Sequence, residues 1–455
     1  MEGTSPANQG NSSSRGQWLK TLPSKINAKV MEIAWKARQL GKEDPRRVYH
    51  SLKVGLALTL ITIFYYFKPV YDYGENAMWA ILTVVLVLEF SVGATLGKGL
   101  NRMFATLTGG ALGIVTHRIA TLSGKIGEPI LISTFVFIMA AIATFMKFFP
   151  NLKARYEYGL TIFILTFSLV SVSGYRDDQV LEMAHERLST IIIGCFISIF
   201  VCICIYPVWI GEDLHNSVAN NIEKLGNYLE GFGDAYFKVL LDGELQSNTR
   251  RSFLQGYKSV LTSKSSEETM ANLARWEPGH GRFRFRYPWK NYLKVGNLTR
   301  ECAYKIEALN NYLNSKIQTP IETRSKIGEL CPKISVESSK ALKELASTMK
   351  KMTRERSADL HIASSKTAAE ELKNLLKTSL WEEVELLQIL PAASVAYLLL
   401  EIVECTQKIV AAVYELANEA SFKHTNDTTL FHRGAVQPVD NNNVDASLET
   451  IITVA

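Results

Sequence analysis

Apolar positions dominate the chain between Val54 and Trp209, in long runs broken by short charged connectors, whereas from Gly211 onward charged residues recur every few positions. The first pattern suits lipid and the second suits water. A membrane-crossing helix needs roughly 20 mainly apolar residues. Six segments qualify, approximately His50–Phe67, Ala77–Val92, Leu96–Ala120, Pro129–Phe149, Tyr158–Ser173 and Leu188–Trp209. The third is the most polar, because Lys98 and Arg102 enter its start and Thr and Gly dilute its middle. Tyr65, Tyr66, Trp79, Tyr156, Tyr158, Tyr206 and Trp209 stand at segment ends, where amphipathic rings reach the headgroups.

In the polar half, apolar residues recur at three- and four-residue intervals over Asn216–Phe237, Lys340–Met352 and Lys366–Ser421, the period of amphipathic helices. Leu386–Leu416 is apolar enough to suggest a seventh span, but its charge-free part ends at Leu400 and Glu401, Glu404 and Lys408 follow, so it reads as a buried bundle helix. The expected fold is therefore an all-α membrane protein with six transmembrane helices per subunit followed by a cytosolic helical bundle. Residues 1–47 form a cytosolic N-terminal tail and basic amphipathic segment, 48–210 the six-helix region, 211–422 the cytosolic helical domain and 423–455 a disordered tail. No cleaved secretory signal precedes the first span, which acts as the uncleaved signal.

Basic residues fix the orientation. Lys42, Arg46, Arg47 and Lys53, then Lys98 and Arg102, then Lys147, Lys153 and Arg155 lie on one side, which is therefore cytosolic. Asp72 and Glu75, then Asp177, Asp178, Glu182 and Glu186, make the other side locally acidic, so both termini are inside. The formal net charge of +6 is mild for 455 residues and does not argue for nucleic acid. The six cysteines lack metal-ligand spacing and read as reduced thiols, with no zinc. None of the eight histidines sits in a paired or HExxH pattern and no nucleophile motif is present, so the chain is not read as an enzyme and implies no cofactor. Gly93-Ala-Thr-Leu-Gly97-Lys98-Gly99 fails as a phosphate loop, since the glycine spacing is one residue short and no strand precedes it. Gly93 with Gly97, and Gly109 with Gly113, instead put small residues on one helix face for close packing.

One stretch differs from its helical surroundings. Trp276-Glu-Pro-Gly-His-Gly-Arg-Phe-Arg-Phe-Arg-Tyr-Pro-Trp-Lys290 alternates Arg with aromatic residues. Upstream spans disfavour a nucleic-acid role. The stretch reads first as an irregular cytosolic strap with aromatic anchors and solvated arginines, and second as a contact for anionic lipid headgroups.

Charge at the membrane boundary is costly, so it faces a pore or a partner more often than lipid. The excess here is cationic, at Lys53, Lys98, Arg102, Lys147, Lys153, Arg155, Arg176 and Arg187, and cationic linings suit an anion pathway. Many of these residues also satisfy the cytosolic bias or reach headgroups. Arg102, about a turn inside its segment, is the strongest candidate, and Glu89 is expected to neutralise a cation. Moving one elementary charge across about 100 mV is worth roughly 2.3 kcal/mol, so a dianion leaving a negative interior gains about twice that and a passive pore suffices. The alternatives are a proton-coupled organic-acid exporter and a membrane-anchored interaction scaffold.

Gly41-Lys-Glu-Asp-Pro-Arg-Arg47, Ser51-Leu-Lys-Val-Gly-Leu-Ala-Leu58, Ala77-Met-Trp-Ala80, Glu89-Phe-Ser-Val-Gly-Ala-Thr-Leu96, Lys98-Gly-Leu-Asn-Arg102, Phe163-Ile-Leu-Thr-Phe167, Pro207-Val-Trp209, Gly211-Glu-Asp-Leu-His215 and Trp276-Glu-Pro278 occur together and in order. This set resembles the plant aluminium-activated malate transporter family from about Gly41 to Phe422. The resemblance implies a homodimeric anion channel carrying malate and other anions, with no nucleic-acid partner, and with basic residues in the conduction path at Lys53, Lys98, Arg102, Lys147, Lys153, Arg176 and Arg187. Some relatives carry Arg early in the fifth span, where this chain has Thr161. It also implies Al³⁺ as an activating ligand, for which Asp72, Glu75, Asp177, Asp178 and Glu182 supply hard oxygen ligands on the outer face. Tyr206–Leu214 resembles the stretch associated with γ-aminobutyrate inhibition, with Tyr206, Trp209, Glu212 and Asp213 as regulatory candidates and Ile210 in place of a small residue. The short N-terminal tail and the Phe163–Tyr175 pattern resemble the plasma-membrane branch, with the vacuolar membrane as the alternative.

Overall fold

The computed structural model describes residues 29–66, 77–173, 180–237, 255–313, 327–377 and 386–423. Residues 1–28 of the N-terminal segment and the expected disordered tail, apart from Lys423, lie outside these residues. The described secondary structure is helical, with only two isolated β-bridges.

The apolar half contains α1 (Pro45–Tyr66), α2 (Ala77–Val87), α3 (Val92–Thr121), α4 (Gly124–Met146), α5 (Pro150–Ser173) and α6 (Val180–Cys204). A helix over 29–43 precedes them and leaves Val30, Met31, Ile33 and Trp35 exposed. Asp44 then accepts from the Arg46 N–H at 3.1 Å and Pro45 opens α1, the cap-plus-proline start expected of a helix N-terminus. Ala57, Ile61, Ala80, Val84, Leu88, Val92, Ile197, Val201 and Cys202 bury one core among α1, α2, α3 and α6. The α3–α5 contact is backbone-close: a Cβ at Gly109 would stand 3.0 Å from the Phe163 carbonyl, and one at Gly113 would stand 2.9 Å from Val170 Cβ. The small-residue pair therefore serves packing within one chain. By contrast, among its described residues α4 buries only Ala143 and presents Phe137 and Phe145 outward.

Among the described residues, three helical stretches are long and apolar enough to cross a membrane: Pro45–Phe64, Ile126–Met146 and Ile389–Glu419. The first two are the first and fourth expected spans. Met78–Val87 and Leu188–Cys204 are shorter apolar helices. Helix α3 has the length but carries Lys98 and Arg102, and α5 opens with Lys153, Arg155 and Glu157. The second expected span is interrupted, because α2 ends at Val87 and Glu89 sits in the turn before α3 rather than deep in a helix. That turn is fixed by Ser91 Oγ, which accepts from Ala94 N–H, and by Thr95 Oγ1, which accepts from Glu89 N–H at 3.0 Å.

The polar half contains α7 (Ile210–Phe237), α8 (Lys258–Leu261), α9 (Lys264–Ala274), α10 (Trp289–Leu313), α11 (Leu330–Lys351), α12 (Ala358–Leu376) and α13 (Leu386–Glu419). One continuous core runs from Leu214 to Phe422 and includes Val395, Leu399, Ile402, Ile409, Val413 and Leu416 of α13, each fully buried. The hydropathy of Ile389–Glu419 is thus that of a central bundle helix. Ser335 and Ser339 of α11 donate to the Leu229 and Gly226 carbonyls of α7 at 2.6 and 2.8 Å, so small polar residues allow a close crossing. The Lys366–Ser421 periodicity resolves into two helices, α12 and α13.

Candidate functional site

The turn that opens α3 places Lys98 beside Glu89, with which it forms an ion pair, and its ammonium lies 5.6 Å from the Tyr158 ring centroid. One turn further, Arg102 is 2% exposed. Its Nη1 donates to Tyr158 Oη at 3.1 Å, while Nε has no hydrogen-bond partner. Among the described residues Arg102 makes no ion pair. Arg102 lines a cavity of about 310 Å³ bounded by α2, α3, α5 and α6, where Trp79, Thr106, Thr166 and His185 add polar groups to an apolar wall. A buried cation without a carboxylate, opening onto such a cavity, offers charge and donors to an incoming anion.

The remaining cations are dispersed. Lys53 is 1% exposed and donates to the Tyr206 carbonyl at 2.8 Å. Lys147 donates to Thr161 Oγ1 at 2.8 Å on an exposed surface, and Lys153 and Arg155 stand exposed in the first turns of α5. Among the described candidates Lys98 and Arg102 share a neighbour, Tyr158, and Lys53, Lys147, Lys153 and Arg155 do not join them in a single ring within one chain. Arg176, Asp72, Glu75, Asp177 and Asp178 lie outside the described residues, as do the side chains of Arg187 and Glu182. Among the described residues no group of three His, Cys, Asp or Glu side chains converges as a metal site.

The strap joins the two halves. Glu277 is buried and accepts from the Ile210 and Gly211 N–H groups at 2.6 and 3.1 Å, supplying a carboxylate to the start of α7. Burial, opposed by these two bonds, pushes its pKa up to about 7. Trp276 fits against Gly97 of α3 and meets the Tyr156 ring edge-to-face at 6.3 Å. A Cβ at Gly93 would collide with the Leu273 carbonyl. This α3 face therefore docks on the polar half. Trp209 stacks on His280 at 3.8 Å, Tyr206 adopts φ 45° and stacks on Tyr49, and Asp213 pairs with Arg46 at 2.9 Å. Glu212 lines a second cavity, of about 300 Å³, with Trp209, His280, Arg282 and Lys350.

The family described as aluminium activated malate transporter matches residues 38–382. The chain belongs to this family. It is 50% identical over 432 residues to aluminum-activated malate transporter 2 of Arabidopsis thaliana, covering 94% of this chain and 85% of that one. Against aluminum-activated malate transporter 1 of the same plant it is 46% identical, with 91% and 86% covered. The wheat protein aluminum-activated malate transporter 1 is 41% identical, with 92% of each chain covered. Within this transporter-family chain, Tyr158 was legible from sequence only as an interfacial ring; its contact with Arg102 spans two helices and leaves no local signal. Thr106, four residues after Arg102 and on the same helix face, could have been read from spacing.

Proposed function

We propose that this chain is a passive anion channel that conducts malate, and other organic or inorganic anions, across a plant membrane. The observation that carries the reading is Arg102, buried at a cavity between four helices and bonded to a tyrosine hydroxyl rather than to a carboxylate. An anion entering there would find a guanidinium whose charge no protein carboxylate has taken up. The family names supply the substrate class, since the relatives are malate transporters by name. Glu89 lies at the α2–α3 turn and pairs with Lys98, which weighs against a proton-coupled exporter with a midplane carboxylate.

The assembly we infer is a homodimer with six spans per subunit, both termini cytosolic, at the plasma membrane. The apolar outward face of α4 and the basic connectors support that arrangement. External Al³⁺ would act on the acidic outer loops as activator. Tyr206, Trp209, Glu212 and Asp213 would regulate, because they occupy the junction between the halves.

The test is voltage clamp of oocytes loaded with malate, with and without external Al³⁺. We expect malate-dependent current that follows the anion's Nernst potential without a pH gradient and falls in Arg102→Ala. Current that requires a pH gradient, or is unchanged in Arg102→Ala, overturns the reading.

A further inference from the structure

We propose that the cavity beneath the Trp276–Lys290 strap is a phosphate-binding site, taking a phosphomonoester carried either by an inositol lipid headgroup or by a soluble molecule. The cavity measures about 390 Å³ and is lined by Arg275, Arg284, Arg286 and Lys290. Two carboxylates also border it, and both are engaged: Glu277 caps α7, and Glu419 accepts from Asn291 Nδ2 at 2.8 Å. Among the described residues none of the four cations forms an ion pair with a carboxylate.

The strap is folded to produce this arrangement. His280 and Phe283 exchange backbone hydrogen bonds of 2.9 and 2.8 Å across a turn in which Gly281 takes φ +51°. Arg286 holds φ +60°, a conformation that L residues keep only where their surroundings enforce it. Phe283, Tyr287 and Trp289 are thereby buried in the bundle, and Arg284, Phe285 and Arg286 are turned outward. His280, at the same cavity, is held by its Nδ1, which donates to the Pro278 carbonyl at 3.0 Å, with Nε2 4.0 Å from Glu277 Oε2. Burial and the nearby Arg155 guanidinium both act against the Arg275 charge, so a bound anion would relieve a cationic excess.

Three guanidinium forks and an ammonium offer more donors than one carboxylate can use. A phosphomonoester, with up to two charges and three terminal oxygens, matches them. Phe285, 68% exposed between two arginines, sits on the strap whose Trp276 touches α3 and α5, and such an aromatic-basic edge suits an anionic leaflet.

The experiment uses purified full-length protein in nanodiscs. Soluble inositol 1,4,5-trisphosphate is titrated in one arm; in the other, nanodiscs containing phosphatidylinositol 4-phosphate are compared with phosphatidylserine nanodiscs of matched charge. Arg284→Gln with Arg286→Gln alters exposed positions, and Lys294→Gln controls for a lost surface charge; melting temperatures check folding. Binding of either phosphate probe that weakens at least about tenfold in the double variant and not in the control supports the site. Response to the lipid alone assigns the leaflet as source, and response to the soluble probe alone assigns a metabolite. Binding of neither probe, equal binding of phosphatidylserine, or unchanged affinity in the double variant overturns it.

Discussion

The cations between the bundle helices and those within the apolar helices have different partners. In the bundle, Lys294 meets Glu415 at 2.5 Å, Lys305 meets Glu401 at 2.9 Å, Lys350 meets Glu223 at 2.6 Å and buried Arg300 meets Glu267 at 2.5 Å. In the apolar half, among the described residues, Lys53 is satisfied by a carbonyl, Arg102 by a tyrosine hydroxyl and Lys147 by a threonine hydroxyl, while Lys98 and, at the start of α1, Arg46 and Arg47 have carboxylates. Neutral partners orient a cation without cancelling its charge. Paired cations hold a fold together; cations with neutral partners remain available to a mobile anion.

The largest expected effect comes from breaking the buried bundle pair. Glu267 is 1% exposed and also accepts from Asn221 Nδ2, so Arg300→Ala leaves a buried carboxylate without its cation. The cost is roughly 3–5 kcal/mol, seen as a melting-temperature fall on the order of 10 °C in the purified full chain. Replacing both partners, Arg300→Met with Glu267→Leu, should recover most of the loss, since an apolar pair carries no stranded charge. A single variant that melts like the wild type would show that bundle pairing does not hold the fold.

Much of this contrast was legible in the sequence, and the part that was not has a physical reason. The change at Gly211 from apolar runs to frequent charge marked the two halves, and the charges after Leu400 identified α13 as a bundle helix. Helix α10 was missed although Trp289, Tyr292, Val295, Cys302, Ile306 and Leu309 keep helical spacing on its buried face, because Gly296, Thr299 and Arg300 on the same face interrupt the apolar stripe. Glu89 was placed deep in a span because hydropathy does not register the Leu88–Ser91 turn, which rests on side-chain bonds from Ser91 and Thr95. At the candidate site Arg102 could be picked out as a charge inside an apolar run, but Tyr158 reaches its guanidinium, and Trp79 and His185 reach its cavity, from other helices.

The next effect is at the junction. An ordinary glutamate titrates near 4.5, and burial holds Glu277 up to about 7. Below that window the carboxyl is protonated whether the chain is folded or not. As pH rises through it, the unfolded chain releases a proton that the folded chain retains. Stability therefore falls from about pH 4.5 to about 7 and then levels off, by up to about 3 kcal/mol. Glu277→Gln keeps an acceptor for the α7 N–H groups and should flatten this part of the melting-temperature profile; an unchanged slope would assign it to other groups.

A conduction effect of about tenfold follows. Arg102→Gln removes a charge that no carboxylate balances, so malate current should drop by about that factor while melting temperature changes far less than in Arg300→Ala. Measured side by side in one preparation, the two variants sharpen the comparison. Equal destabilisation with intact current would mean that Arg102 is a structural cation like Arg300.

The smallest effect tests the exposed bundle pairs. Lys343 meets Glu230 at 2.5 Å, but the glutamate side chain is 62% exposed, so water competes for both charges. Lys343→Ala should cost roughly 0.2–1 kcal/mol, a melting shift of a few degrees at most, and the difference should shrink as salt screens the pair. Gly226 limits how far this can be read as electrostatics, because a Cβ there would stand 3.0 Å from Lys343 Cγ and the lysine stem covers that glycine. Lys343→Met keeps the stem and removes the charge. If Met restores the wild-type melting temperature and Ala does not, the pair contributes through packing, and the bundle's cations divide further into buried ones that balance charge and exposed ones that cover apolar surface.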